Sequence, residues 1–271
     1  MASAINHEFS FSPGDFGRVR QMILAYAGIS LHERKENMVY NRLVRRLRAT
    51  GRRDFGDYLD WVERPGSEER ESFVNALTTN LTAFFREPHH FDLLVEHARR
   101  SLRRPLRVWS SACSTGQEPY SAAIVLRRAG CEAEILATDV DTEALAVAQG
   151  GVYRLDVVDS LERECLRKSF LRGTGGHANK VCVRPELRAM VKFQRRNLLE
   201  PHWPQGERFD AVFCRNVMIY FDRPTQQRVL DRLAAVLPAG GLLFVGHADS
   251  GASGHPAFRA CGKTAYERRA A

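Results

Sequence analysis

Glu118 stands two residues beyond a run of small residues, Ala112-Cys113-Ser114-Thr115-Gly116, and Asp139 comes 23 residues after Gly116. Small residues let a backbone approach a ligand closely, and an acid at about that distance is placed to accept from the hydroxyls of an adenosine ribose. A dinucleotide needs more than this. The Gly-x-Gly-x-x-Gly pattern is absent, and Glu118 puts a negative charge where a pyrophosphate wants a free helix N-terminus. The two acids therefore suit an adenosine cofactor without phosphates, which points to S-adenosylmethionine with Glu118 accepting from its ammonium group. A structural role stays open for each, Glu118 as an ordinary N-terminal helix charge and Asp139 as a cap or turn residue. Asn197 and the pair Arg215-Asn216 extend the polar set, although each is also an ordinary loop cap when taken singly.

The elements that must carry these residues change character along the chain. The first ~78 residues read as helix throughout, broken at Pro13-Gly14, Gly28, Gly51, Gly56 and Pro65-Gly66. From Leu106 strands alternate with helices, which implies βαβ units and a parallel sheet. Strands are expected at Leu106–Ser110, Glu134–Thr138, Val191–Phe193, Phe209–Cys214 and Leu242–Val245, with a final antiparallel pair within 258–268. Helices are expected from Glu118-Pro119 to Arg128, over Thr142–Gln149 capped by Asp141, and from Asp222-Pro224 to Pro238. In such a sheet ligands bind outside the C-terminal strand ends, where Glu118, Asp139, Asn197 and Arg215 all fall. The stretch Lys168–Arg188 interrupts the alternation, and its glycines at 173, 175 and 176 suit a turn between two short strands. No Lys-Ser/Thr follows them, so a phosphate loop is not expected there.

At 271 residues, 44% hydrophobic and 27% charged, the chain is long enough for two units and has the composition of a globular protein. No apolar run approaches the ~18–20 residues needed to cross a bilayer. Met1 to Ser12 carries no signal-peptide pattern, so a cytoplasmic location is expected. Six dispersed cysteines have no zinc-type spacing; they read as reduced thiols, and no metal is expected. Nearly all of the +8 net charge is local: Arg34 to Arg53 holds eight basic residues and one acid. There Val39, Leu43 and Leu47 form an apolar row, with Lys35, Arg42, Arg45 and Arg46 on the opposite side. Such a face suits an anionic partner; a plain solvated surface is the other reading.

Four ordered blocks are more specific than any single feature. Asn80-Leu-Thr82-Ala-Phe-Phe-Arg86-Glu87, Trp109 through Glu118-Pro-Tyr120-Ser, Ala137-Thr-Asp139-Val-Asp141 and Phe213-Cys-Arg215-Asn216-Val-Met-Ile-Tyr220-Phe-Asp222 resemble the signature blocks of the CheR family, the chemotaxis receptor methyltransferases. The resemblance extends over nearly the whole chain, from the basic helix at Met38–Arg48 to Leu242–His247. Where most members have an acid before Glu118, this chain has Gln117.

The resemblance implies a class I S-adenosylmethionine-dependent methyltransferase of α/β, Rossmann-like fold with a small β-subdomain at about 165–190, preceded by an all-α domain. The implied division is 1–78 helical, 79–93 a linker contributing to the cofactor pocket, and 94–271 catalytic. It implies that Asn80, Thr82 and Arg86 close over S-adenosylmethionine, with Arg86 meeting its carboxylate. Glu118, Asp139, Asn197, Leu198, Arg215 and Asn216 complete that pocket, and Tyr220 lies near the transferred methyl. The implied reaction is methyl transfer to glutamates of chemoreceptor cytoplasmic helices, docked on Arg42, Arg45 and Arg46. The glycine turn is similar to that of members tethered to a receptor's C-terminal pentapeptide, through Arg172, Gly173 and Gly175; a tight turn and nothing more is the alternative. A glutamate (pKa ~4.3) is already ionised at pH 7, so no general base is required. His89, His90, His247 and Cys113 accordingly read as structural. A nucleic-acid methyltransferase and an inactive binding module remain as other classes, the first favoured by the basic patch alone.

Overall fold

The computed structural model describes residues 8–101, 103–200, 203, 208–249 and 251–270. Most of the Met1 to Ser12 stretch, which carries no signal-peptide pattern in sequence, lies outside them, from Met1 to His7. The chain divides into two units, Met1–Thr79 and Asn80–Ala271.

Among the described residues the first unit has four α-helices, α1 (Pro13–Ala27), α2 (Glu36–Thr50), α3 (Phe55–Glu63) and α4 (Glu69–Leu77), with a 3-10 turn at Glu33–Lys35 leading into α2. Local chemistry starts them. Ser12 at the N-cap and Asp15 in the first turn of α1 form a reciprocal capping box across Pro13, and Asp54 accepts from the Asp57 amide at the start of α3. In α2 the apolar row Val39, Leu43 and Leu47 is fully buried, with Tyr40 and Val44 beside it.

The second unit is built on a seven-stranded sheet. In chain order it runs α5 (His89–Arg100), β1 (Leu106–Ser110), α6 (Gln117–Arg128), β2 (Ala133–Asp139), α7 (Thr142–Gly150), β3 (Val152–Arg154), α8 (Arg163–Ser169), β4 (Phe170–Arg172), β5 (Lys180–Val183), α9 (Pro185–Arg188), β6 (Val191–Arg195), β7 (Ala211–Cys214), α10 (Arg223–Val236), β8 (Leu242–Val245), β9 (Phe258–Gly262) and β10 (Ala265–Arg268). The sheet order is β6-β2-β1-β7-β8-β10-β9, parallel from β6 to β8 and antiparallel beyond. Alternate strand residues enter opposite layers. Val108, Phe213 and Phe244 pack with α5 and α6, whereas Trp109, Val212 and Leu243 pack with α10. Burial on both faces explains the nearly unbroken apolar strand sequences. The expected doubly wound fold with a small β-subdomain is present, and the order in which strands are added reverses between the parallel neighbours β1 and β7, which makes their C-terminal ends the switch point.

The subdomain is larger than two strands. β3, β5 and β4 form an antiparallel sheet in that order, so β3 joins from outside the expected insert and leaves β4 as an edge. β6 runs two residues further than expected, to Arg195, because β2 continues alongside it to Asp139. The segment at 209–210 is not strand: the Phe209 amide donates to Val236 and the Asp210 carboxylate accepts from the Arg107 amide at 2.8 Å.

Candidate active site

At the end of β2, Asp139 is buried and held by two backbone donors. The Ser114 amide gives 2.7 Å to Oδ2 and the Asp141 amide 3.0 Å to Oδ1. Burial pushes its carboxyl up, and these amides oppose that shift. Ser114 reaches Asp139 because it adopts a left-handed backbone, φ 49°. Asp141 caps α7 through the Ala144 amide and also accepts 2.6 Å from Nδ2 of Asn80, whose Oδ1 accepts 3.0 Å from the Ser114 hydroxyl. Asn80, Ser114, Asp139 and Asp141 thus form one hydrogen-bonded ring. Gly116 closes the loop at φ 94°, where a Cβ would lie 2.8 Å from Ala148 and 2.9 Å from the Tyr153 hydroxyl; no other residue fits without displacing α7 or β3.

Across the switch point, Glu118 in the first turn of α6 accepts 2.7 Å from the Ser110 hydroxyl and 3.0 Å from Nη1 of Arg215. Burial pushes its carboxyl up; the Arg215 charge and the Ser110 bond pull the other way. The Arg215 side chain is 2% exposed, and its Nη2 donates 2.5 Å to the Arg86 carbonyl and lies 3.5 Å from Glu87. Arg215 was expected to line the pocket; the structure makes it the strut joining β7, α6 and the segment that carries Arg86. Arg86 itself is half-buried, with Nη1 donating 2.9 Å to the Leu81 carbonyl. Nearby, Glu87, His89 and His90 bring ligand-type atoms within 4.8 Å of one another, and the Arg215 guanidinium beside them already supplies a cation.

The other pocket residues lie around this centre in different ways. Leu198 is 5% exposed and packs its side chain into the α10 layer, so it offers a ligand backbone and no apolar surface. The Asn197 side-chain Oδ1 accepts from the Leu199 amide at 2.9 Å, an Asx-type turn just past β6. Asn216 is left-handed at φ 57°, and its amide donates to Asp249. Thr82 and Tyr220 are half-buried, Tyr220 ending the single turn Met218–Tyr220. Asp249 was missed by sequence reasoning. Buried four residues beyond β8, it accepts from the amides of Asn216, Ile219 and Gly246 and so fixes the loop leading to Tyr220. The available signal was an acid three residues beyond the strand-end glycine.

The basic face is not uniform. Arg42 donates to the carbonyls of Leu77 at 3.1 Å and Thr78 at 2.5 Å, capping the open end of α4. Arg46 makes a bidentate pair with Glu69 at 2.7 and 2.8 Å, and the Tyr58 hydroxyl donates to the same carboxylate. These two arginines hold the helical unit together, which corrects the expectation of a free cationic face. Arg45, with Arg34, Lys35 and Arg53, is exposed and has no side-chain partner among the described residues. In the subdomain Arg172 is exposed at the edge. A Cβ on Gly173 would collide with the His177 carbonyl, so that glycine serves the turn itself, while Gly175 is exposed at φ 55° with open space around it.

Residues 80–266 match the family described as CheR methyltransferase, SAM binding domain, and residues 14–78 match CheR methyltransferase, all-alpha domain. The chain belongs to the CheR methyltransferase family. The chemotaxis protein methyltransferase of Klebsiella aerogenes is 51% identical over 263 residues, 94% of this chain and 89% of that one. Chemotaxis protein methyltransferase 2 of Pseudomonas aeruginosa is 48% identical over 268 residues, covering 96% and 95%, and the Escherichia coli chemotaxis protein methyltransferase is 46% identical over 267, covering 97% and 93%. Among solved structures, the plantazolicin methyltransferase BpumL with SAH has a TM-score of 0.38 at 13% identity, covering 78% of this chain and 60% of that one. The cofactor of this methyltransferase is S-adenosylmethionine. The donor set suits it: one buried carboxylate, Asp139, at the end of β2 and one, Glu118, in the helix turn where a phosphate would need bare amides. No helix among the described residues is long and apolar enough to cross a membrane.

Proposed function

We propose that this chain methylates glutamate side chains on the cytoplasmic helices of chemoreceptors, giving glutamate methyl esters, and that it works in the cytoplasm. The observation supporting this reading is the pair of buried, pre-oriented carboxylates, Asp139 and Glu118, at the switch point, with Arg86 on the adjoining segment. When bound, S-adenosylmethionine supplies a methyl group already activated on a sulfonium. Asp139 takes the ribose hydroxyls, Glu118 the ammonium and Arg86 the carboxylate, with Asn80 and Thr82 from the 79–93 segment and Asn197, Leu198 and Asn216 around them. Tyr220 borders the position of the methyl. An acceptor glutamate arrives ionised, so the protein's task is in-line positioning and removal of water from that carboxylate.

The names of the relatives support chemoreceptors as substrate. Arg34, Lys35, Arg45 and Arg53 are the cations available to acidic receptor helices, and the β4 edge with Arg172 suits strand addition by a receptor's C-terminal peptide. Calorimetry with S-adenosylhomocysteine tests the pocket. Arg86→Ala and Asp139→Ala should each weaken binding by about 1–3 kcal/mol, the range for a hydrogen bond to a charged group. Wild-type affinity in both folded variants refutes the assignment.

A further inference from the structure

Arg86 lies between two left-handed residues that are not glycine, Phe85 at φ 52° and Glu87 at φ 57°. Such conformations are strained and persist only where the surroundings over-determine them. On one side the Phe85 amide donates 2.9 Å to the Ser121 hydroxyl of α6. On the other the anchor is the Glu87 side chain, 8% exposed, on which groups from three other elements converge. His247 beyond β8 brings Nδ1 to 2.9 Å of Oε1 and its amide to 3.4 Å. Arg215 beyond β7 and His90 of α5 face Oε2 at 3.5 and 3.6 Å. Burial pushes the Glu87 carboxyl up, but the His247 bond and the Arg215 charge outweigh it and hold the group below the usual carboxylate range. The charge matters because the Arg215 guanidinium also binds Glu118 and the Arg86 carbonyl. One cation therefore stands between the two groups that take the opposite poles of the cofactor's amino-acid end, and Glu87 is its second counter-charge.

We propose that Glu87 is a positioning residue for that amino-acid end: its carboxylate fixes the strained Phe85-Arg86-Glu87 segment against Arg215 and His247, and so aims Arg86, without touching ligand. This rests on Arg86 meeting the cofactor carboxylate. The loss of Glu87 is felt only by ligands that carry that carboxylate, and only while Arg86 is present.

The test uses the full chain, with calorimetry against S-adenosylhomocysteine and 5′-methylthioadenosine, which lacks the amino-acid end. Glu87→Gln keeps the shape and removes the charge. It should weaken S-adenosylhomocysteine binding about tenfold or more, the size expected for a charge-assisted contact, and leave methylthioadenosine binding unchanged. In an Arg86→Ala background the same substitution should have no further effect on either ligand. Should Glu87→Gln lower the melting temperature below working conditions, His247→Ala removes a partner of Glu87 from a half-exposed position and should show the same ligand selectivity at about 2–5-fold. Equal losses for both ligands, or a full loss persisting without Arg86, would make Glu87 merely structural and overturn the proposal. A selective loss in Arg86→Ala with wild-type affinity in Glu87→Gln overturns the proposal alone; wild-type affinity in Arg86→Ala overturns the assignment of Arg86 itself.

Discussion

Two neighbours on the basic helix should respond oppositely to substitution. Arg46 pairs through two bonds with Glu69, whose side chain is 5% exposed, and the fully buried Tyr58 donates 2.9 Å to the same carboxylate. Removing one partner of a fully buried pair costs roughly 3–5 kcal/mol, because a charge is left without compensation. The Arg46 side chain is 27% exposed, so water reaches the gap and about 2–3 kcal/mol is the expected loss for Arg46→Ala. A helical unit of this size has a total stability of only ~4–12 kcal/mol, so its melting temperature should fall by ~10–20 °C. Arg45→Ala should stay within about 0.5 kcal/mol of wild type, as exposed substitutions do. Thermal circular dichroism measures the stabilities, and receptor methylation at two salt concentrations measures docking. Arg45→Glu combined with Arg34→Glu and Arg53→Glu should slow methylation, most at low salt, with unchanged stability. A stable Arg46→Ala, or equal destabilisation at both positions, would refute the division of this face into structural and available cations.

Two further predictions concern the second unit. Arg215→Ala leaves Glu118 and Glu87 buried without their shared cation and should destabilise the protein by about 3–5 kcal/mol in urea unfolding followed by fluorescence; a loss under 1 kcal/mol contradicts the strut role. His90 is fully buried, and burial, helped by the Arg215 and His89 charges, lowers its pKa to about 3. The unfolded chain, with a pKa of ~6.5, binds a proton there that the native protein does not. Its contribution is therefore complete above pH ~6.5 and is lost as pH falls toward 3, by up to ~1.4 kcal/mol per unit. Between pH 7.5 and 5.5 wild type should lose about 1 kcal/mol more than His90→Asn, and identical losses would contradict the neutral buried state.

What the sequence reveals depends on how far apart the partners are. β1 and β8 were readable to the residue, since each is a short apolar run bounded by Pro105 or by Gly241 and Gly246. The α2 apolar row was equally plain, because its period is local. β3 was not: three residues carry no periodicity, and Val152–Arg154 is a strand only because β5 runs beside it. The basic face shows the same limit, since periodicity separated Arg42 and Arg46 from the apolar row but could not reveal that their partners lie in α4. In the site, Glu118 and Asp139 were found from spacing along adjoining βα units. Arg215 meets Glu118 across 97 positions and Asp249 meets Asn216 across 33, and only the switch-point topology brings those pairs together.

The most direct test of the account is incubation of the protein with methyl-labelled S-adenosylmethionine and receptor-containing membranes, followed by mild base. The account predicts label on the receptor that base releases as methanol, as a glutamate methyl ester requires, and no label when the methylated glutamates are replaced by alanine. Base-stable label, or label on nucleic acid with none on receptor, would contradict it.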